Sequence, residues 1–467
     1  MAKSDILSNW AADERFKLTL TFADGSHYSV EGQQGDNFNP STDSLISFNI
    51  DLEDSIAAGN PVGVLSPATF NAEIFSKNDV LNPFGTTGHS SKLRAGVRVD
   101  TFRWFEQASG YGDWREYGTF FIETLSTNKE NGGFGITSIQ GKDMLNFLGN
   151  QPIPSLTDYV GTSVRGLVDT IFTKLRESLN FDFEWKMSDE LDLDMLYAIA
   201  KGDRVRDVLN GIAQALMARI YVDRKNIIQI KPAIRDVVSD EEILGTIETT
   251  GISNFNVELN SNSVFNKVRL QYTKAGNSES SDLASTERLI EPGDNAIKID
   301  VANSIILIDS VYLECEADDS DNLGSFADLT YQVSAGQIDV DINNATGRTF
   351  NGRIVVTGIL TGDEPLSEEY EVEKYKHLQA STLELTSSII QTEAEAKAYV
   401  KKVANYLERM EGTGVVSGIL SPELYIGEYV YIDDDDPKMD GLYLITSFSL
   451  DYSAGYTVTL NVVKIRK

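Results

Sequence analysis

One cysteine and three histidines are all that the 467 residues offer of the side chains most common at metal and redox centres. A lone Cys315 excludes an intrachain disulfide and any Cys-rich zinc site. His27, His89 and His377 lie far apart, and none belongs to an HExxH helix or to the paired spacing of a zinc site. Cationic residues are scarce as well: 40 Lys and Arg stand against 71 Asp and Glu, a net charge of −31. Nucleic-acid binding draws on phosphate neutralisation by Lys and Arg, so this balance argues against a chain that holds DNA or RNA. It fits a solvated acidic surface, or a surface that stays near DNA without adhering to it. Long apolar runs are missing too. The longest, Ser304 to Leu313, is interrupted by Asp309 and is too short to cross a bilayer. Met1 to Phe16 carries Asp5, Asp13 and Glu14 and no apolar centre, which does not fit a secretory signal.

The remaining routes to chemistry are equally thin. Cys315 and His377 stand in the chain order of a cell-wall cysteine peptidase, but Cys315 sits between Glu314 and Glu316 in an extended segment. Neighbouring carboxylates disfavour a thiolate, so nucleophilic catalysis is not expected there. Gly161-Thr162-Ser163-Val164-Arg165 misses the serine nucleophile elbow, its second glycine coming one place late at Gly166. Two acidic runs could hold cations: Asp433 to Asp436 before Pro437 and Asp440-Gly441, and Asp318, Asp319 and Asp321 before Asn322 and Gly324. Neither matches the EF-hand register, and both read as exposed acidic turns. The expectation is therefore no catalytic residue, no cofactor and no metal ligand.

What is present is β structure. Phe16, Leu18, Leu20 and Phe22 alternate with polar residues, and Asp24-Gly25 follows as a turn. The same period returns at Ile46, Phe48, Ile50 and Leu52, at Phe70, Ala72 and Ile74, at Val97 and Val99, and at Phe120 and Ile122. After Pro152 and Pro154 the spacing changes to three and four residues. Val164, Leu167, Val168, Ile171, Phe172 and Leu175 form one helical stripe; Val205, Val208, Leu209, Ile212, Ala213 and Leu216 form a second. That second stripe leads into a hairpin, Arg219 to Asp223 and Ile227 to Lys231 about Lys225-Asn226. Strands return with Val268, Leu270 and Tyr272 and with Ile338, Val340 and Ile342. Thr392 and Glu395 make the capping box of a helix whose stripe runs Tyr399, Val400, Val403, Leu407 and Met410, with Gly412 placed for a C-terminal cap. Tyr456, Val458, Leu460 and Val462 close the series. The fold class expected is α+β, mainly β.

Several segments together resemble the hub proteins of phage tails, the late control protein D group among them. Gly118-Thr119-Phe120-Phe121-Ile122, then Gly141-Lys142-Asp143-Met144-Leu145, resemble the end of that family's first barrel. Asp203 to Pro232 is similar to its helix followed by an Ile-Tyr-Val-Asp hairpin, and Ser388 to Leu407 to its returning helix. Gly427-Glu428-Tyr429-Val430, Gly441-Leu442-Tyr443-Leu444-Ile445 and the Tyr456 strand look like hairpins of its final barrel.

The resemblance implies two tube-like β-barrel domains with a small α/β domain and a β-sandwich-like domain between them. The corresponding boundaries are 1–150 for the first barrel, 151–240 for the α/β domain and 241–290 with 412–467 for the second barrel. The sandwich takes 291–385 and the connecting helix 386–411. It further implies a homotrimeric, non-enzymatic virion protein, assembled in the host cytoplasm without a membrane anchor. Its partners would be a tail tube or distal tail protein and a central spike, fibre or tape-measure protein, with DNA passing through unbound. The chain stops five residues after Val462, so no hydrolase module is expected beyond it. The competing readings are a cell-wall-degrading tail enzyme and a carbohydrate-binding, adhesin-like protein.

Overall fold

The computed structural model describes residues 15–33, 44–53, 63, 65–76, 81–82, 84–85, 88–106, 112–129, 135–153, 163–194, 204–233, 235, 238–239, 242–258, 264–273, 281–300, 305–315, 327–334, 337–360, 365–377, 381–387, 389–421, 423–452 and 456–466. Asn131–Gly133, Gly161, Thr162 and the acidic run Asp318–Gly324 lie outside them.

The N-terminal strands build one lobe of a curled sheet. Its ladder runs His27–Gln33, Arg15–Thr21, Arg98–Glu106, Gly112–Lys129, Gly135–Asp143, Ala68–Ser76 and Ser44–Glu53, every neighbour antiparallel. Alternation decides which side is buried: Phe16, Leu18, Leu20, Phe70, Ile74 and Val99 all point to one core. Gly25 takes φ +78° in the first hairpin turn, a conformation that favours glycine. Gly32 lets the first and last strands of the lobe approach, since a Cβ there would lie 2.9 Å from the Leu45 carbonyl oxygen. One expectation shifts here. The ladder slips between Leu45 and Ser47, so Leu45 rather than Ile46 joins the core ahead of Phe48, Ile50 and Leu52. A bulge inserts one residue and reverses the side on which the preceding residues fall.

The C-terminal strands form the second lobe: Ile252–Glu258, Met410–Gly418, Tyr456–Ile465, Gly441–Tyr452, Tyr429–Asp433 and Ile243–Glu248 in ladder order. The two lobes belong to a single 13-stranded sheet. Gly441–Tyr452 pairs antiparallel with Ser44–Glu53, from Ser447 opposite Glu53 to Tyr452 opposite Phe48. One apolar core spans both, with Phe16 against Phe48, Tyr452 and Tyr456 at 4.8, 5.1 and 6.3 Å between ring centroids. Each buried ring contributes about 1.5–3 kcal/mol by leaving water, so the joint is a main source of stability.

Four helices sit beside this sheet among the described residues: α1 (Met144–Gly149), α2 (Val164–Leu179), α3 (Val205–Leu216) and α4 (Glu393–Arg409). Both predicted stripes on α2 and α3 are buried to the last residue. Ser163, the serine of the discarded nucleophile pattern, caps α2 by accepting from the Gly166 N–H at 3.3 Å. The α2 and α3 layer covers a four-stranded sheet ordered Leu65–Ser66, Ala218–Val222, Ile227–Pro232 and Glu184–Met187. Asn226 turns its hairpin in the left-handed region, at φ 61°. The capping box on α4 forms as expected, with Tyr399, Val400, Val403 and Leu407 buried. Gly412 is no helix cap, however. The chain leaves α4 at Met410 directly into a strand, where Gly412 allows the Glu258 carbonyl oxygen to come within 3.1 Å of a Cβ position.

Residues 267–290, grouped by sequence with the second barrel, find their partners elsewhere. Lys267–Thr273 lies between Pro365–Glu371 and Thr382–Ser387 in a three-stranded sheet under α4. Ser281–Ile290 belongs to a β-sandwich. One of its sheets joins Ser281–Ile290, Phe350–Leu360 and Ile305–Cys315; the other joins Gly293–Asp300, Gln337–Asn344 and Ala327–Ser334. Its core includes Ile290, Ile299, Ile338, Val340, Ile342 and Phe350. The sandwich leaves and rejoins the body at Thr273 and Pro365, which face each other across one ladder. Thus the architecture is α+β and mainly β, with two barrel-like lobes, an α/β layer and an inserted sandwich.

Candidate functional site

Where the lobes fuse, the sheet turns a broad polar face away from its core. Following the registers outward from the joint, Ser447, Ser449 and Asp451 stand beside Asp51 and Asn49. Next come Thr69, Asn71 and Glu73, then Ser138, Gln140 and Lys142, then Thr124 and Ser126. On the other side follow Thr457, Thr459 and Asn461, then Ser417 and Asn254 and Asn256.

Short polar side chains bond to one another along this face. Ser449 Oγ donates to Asp51 Oδ1 at 2.5 Å across the joint itself, and Ser47 Oγ to Glu73 at 3.3 Å. Thr124 Oγ1 donates to Gln140 at 2.8 Å, and the Ser417 and Thr459 hydroxyls are 3.0 Å apart. Among the described side chains of these eight strands' shared face, Lys142 is the single cation, and Glu123 accepts from it at 2.7 Å. Asp51, Glu73, Asp451 and Glu258 leave the face acidic. Arg15, Lys17 and Arg98 appear only on the far strands of the first lobe.

The three units are tied together by a polar junction. Arg219, 1% exposed, lies in the first strand of the α/β hairpin. Gly427 (φ +81°) makes room for it, since a Cβ there would sit 2.2 Å from Arg219 Nη1. Arg224 stacks between Tyr117 of the first lobe and Tyr425 of the second, at 4.8 and 4.9 Å from the ring centroids. Glu423 accepts from Arg103 at 3.1 Å and from Arg224 at 3.4 Å, so one carboxylate joins both lobes to the hairpin.

Two carboxyls here are protonated more readily than usual. Asp143, 2% exposed, caps α1 and accepts from the N–H groups of Ala68 at 2.8 Å and Asn146 at 3.0 Å. Burial nonetheless pushes its pKa up to about 7. Glu428 accepts from the Tyr425 N–H at 2.9 Å and is likewise raised to about 7 by desolvation, against the pull of Arg224. Sequence reasoning placed Arg219 and Glu428 only as members of hairpins, and passed over Arg224 and Glu423. The one signal available was the Asp143-Met144-Leu145 step from strand into helix, which marks an N-cap.

The residues singled out by sequence are not brought together. Thr21 Oγ1 and His27 Nδ1 are 3.0 Å apart in the first hairpin. His89 packs between Phe22 and Tyr28, at 5.5 and 4.8 Å. His377 is exposed in a turn after Pro365–Glu371, whereas Cys315 ends a sandwich strand opposite Gly352. In the acidic run from Asp433, Asp434 and Asp436 accept from the N–H groups of Asp436 and Lys438 at 2.8 and 2.9 Å, and Asp440 from the Tyr431 hydroxyl at 2.7 Å. These carboxylates shape a hairpin tip. Among the described residues no group of His, Cys, Asp and Glu could hold a metal ion, and no helix is long and apolar enough to cross a membrane.

No known family's sequence profile matches the chain, and no curated protein matches it in sequence. Solved structures do match its fold. A tail protein from Neisseria meningitidis MC58 aligns over 96% of both chains at 12% identity, with a TM-score of 0.52. The 43 kDa tail protein of prophage MuSo2 from Shewanella oneidensis aligns over 96% of this chain and 98% of its own, at 10% identity and the same TM-score of 0.52. The likeness is one of fold, and it extends over nearly the whole length of all three chains. The resemblance read from the sequence motifs therefore holds at the level of architecture.

Proposed function

We propose that the chain is the structural hub of a phage-type tail baseplate or tail tip. Three copies form a ring that joins a hexameric tail tube or distal tail protein to a threefold spike, fibre or tape-measure protein. The observation that carries this reading is the fusion of two barrel-like lobes into one sheet. A chain that presents two barrel-like lobes meets a sixfold partner with three copies, while keeping threefold symmetry for whatever lies beyond. The two solved tail proteins of like fold support the setting.

In this ring the polar face of the fused sheet lines the channel. Its lack of free cations fits that task, because each Lys or Arg contact to phosphate would hold DNA by counterion release. Carboxylates instead repel the passing strand over roughly 8–10 Å at physiological salt. The chain does no chemistry in this role, and it resides in the virion tail after assembly in the host cytoplasm, without a membrane anchor. Electron microscopy of the assembled particle tests the reading. Three copies around a channel lined by this face are expected; one or six copies, or a lumen lined by Lys and Arg, would overturn it. On peptidoglycan zymograms the pure chain should clear nothing. Clearing that is lost in Cys315→Ala or His377→Ala would restore the enzyme reading.

A further inference from the structure

A cavity of about 550 Å³ opens at the polar junction, where the first-lobe hairpin, the α/β hairpin turn and the loop before Tyr429–Asp433 meet. Four cations line it, Arg103, Arg115, Arg224 and Lys225, against the carboxylates of Glu116 and Glu423. A local excess of two positive charges is unusual in a chain of net charge −31. Arg103 and Arg224 are held deep in the wall, their side chains 5% and 19% exposed, and already grip one carboxylate, that of Glu423. Arg115 and Lys225 are exposed. Tyr117 adds an aromatic wall. Guanidinium groups bind carboxylates through charge-assisted bonds, and a volume of this size takes a short peptide segment better than an inorganic ion. A polyanion such as DNA would meet the acidic body around the site and be repelled.

The same chain carries a segment of matching chemistry. Asp433 to Asp436 form the exposed tip between Tyr429–Asp433 and Gly441–Tyr452. The cavity's Glu423 precedes this strand and the acidic tip follows it. The strand's five residues span about 17 Å, and no residue of the tip lines the cavity. A ring contact requires two different, complementary patches on each copy. We propose that the cavity around Arg103, Arg115, Arg224 and Lys225 is a docking pocket for an acidic peptide segment, occupied by the Asp433–Asp436 tip of a neighbouring copy. The assignment of the occupant rests on the ring proposed above.

Titration of the full chain with a fluorescent peptide of the sequence Tyr431 to Asp440 tests the pocket without requiring a ring. Binding should weaken at least about tenfold in the Arg115→Glu/Lys225→Glu chain, with an Asn-for-Asp peptide, and as ionic strength rises. Both substituted residues are exposed, and a thermal melt matching that of the parent chain is the control for folding of the variant. No binding up to about 1 mM peptide overturns the pocket. Assembly into particles tests the occupant. Arg115→Glu/Lys225→Glu and Asp433→Lys/Asp435→Lys, the latter at exposed positions outside the bonds that shape the tip, should each impair ring formation, and their combination should restore it. Rings of three that ignore both reversals would overturn the occupant while the hub reading stands. A particle with one or six copies would overturn the hub reading, leaving the peptide titration to judge the pocket.

Discussion

The fused lobes and the inserted sandwich are both alternating β structure, yet they are held together on different scales. In the lobes, strands from the two ends of the chain share one sheet, and the core is linked by rings: Phe16, Phe48, Phe70, Phe120, Tyr452 and Tyr456. In the sandwich, the buried core among the described residues is eight side chains, one of them aromatic, all from 290 to 356. Each lobe buries its strand edge against the other, so neither has a finished sheet alone. The sandwich closes on itself and touches the body's ladders through two adjacent strand ends, Thr273 and Pro365. The lobes should therefore unfold as one unit and the sandwich as another.

The largest expected effect is at the joint. Phe48→Ala and Phe448→Ala each remove a ring from the shared core and should cost about 3–5 kcal/mol. Denaturant titration followed by probes in both lobes should show one transition moving in both. A lobe that keeps its own midpoint would break the comparison. Ile338→Ala in the sandwich should cost about 2–4 kcal/mol, but only in the sandwich. Hydrogen exchange should rise across 281–360 while the lobes stay protected.

A smaller effect follows from the carboxyls at about 7, Asp143 and Glu428, which belong to the lobes and their junction. Their folded values lie above those of the unfolded chain. Between the ordinary carboxyl range and pH 7 the folded chain keeps protons that the unfolded chain releases. Stability from these groups is thus present in acid and declines as pH rises towards and through 7. Thermal melts should show the lobe transition falling over that window, with the slope reduced in Asp143→Asn and Glu428→Gln. An unchanged slope in both variants would remove the effect. The smallest change is expected from replacing 274–364 with a tight turn between Thr273 and Pro365. Loop closure costs little and no lobe core residue is lost, so the lobe midpoint should move by no more than about 1 kcal/mol. Collapse of the lobes would show that the sandwich is part of their core.

Legibility in the sequence followed the range of the interactions. The alternation at Phe16 to Phe22 and at Tyr456 to Val462, both stripes of α2 and α3, and the Thr392–Glu395 capping box are written within a few residues, and all appear in the structure. Gly412 was misread because a glycine after a helical stripe serves either a cap or a close strand crossing, and only the Glu258 carbonyl decides between them. Ile46 was misplaced because a bulge leaves no local signature. Residues 267–290 were assigned by order along the chain, whereas their hydrogen bonds go to partners beyond 340.

By itself, then, the sequence determined many of the strands and three of the helices, the apolar stripes of α2 and α3, and that the chain carries a large excess of acid. Those properties depend on side-chain period and composition alone. Only the tertiary structure decided that Ser44–Glu53 pairs with Gly441–Tyr452, that the acidic and neutral residues of eight strands share one face, and that four cations gather around one cavity. Backbone hydrogen bonds are chemically alike in every strand, so which edges meet is chosen by the fit of whole cores. No short window of residues contains that information.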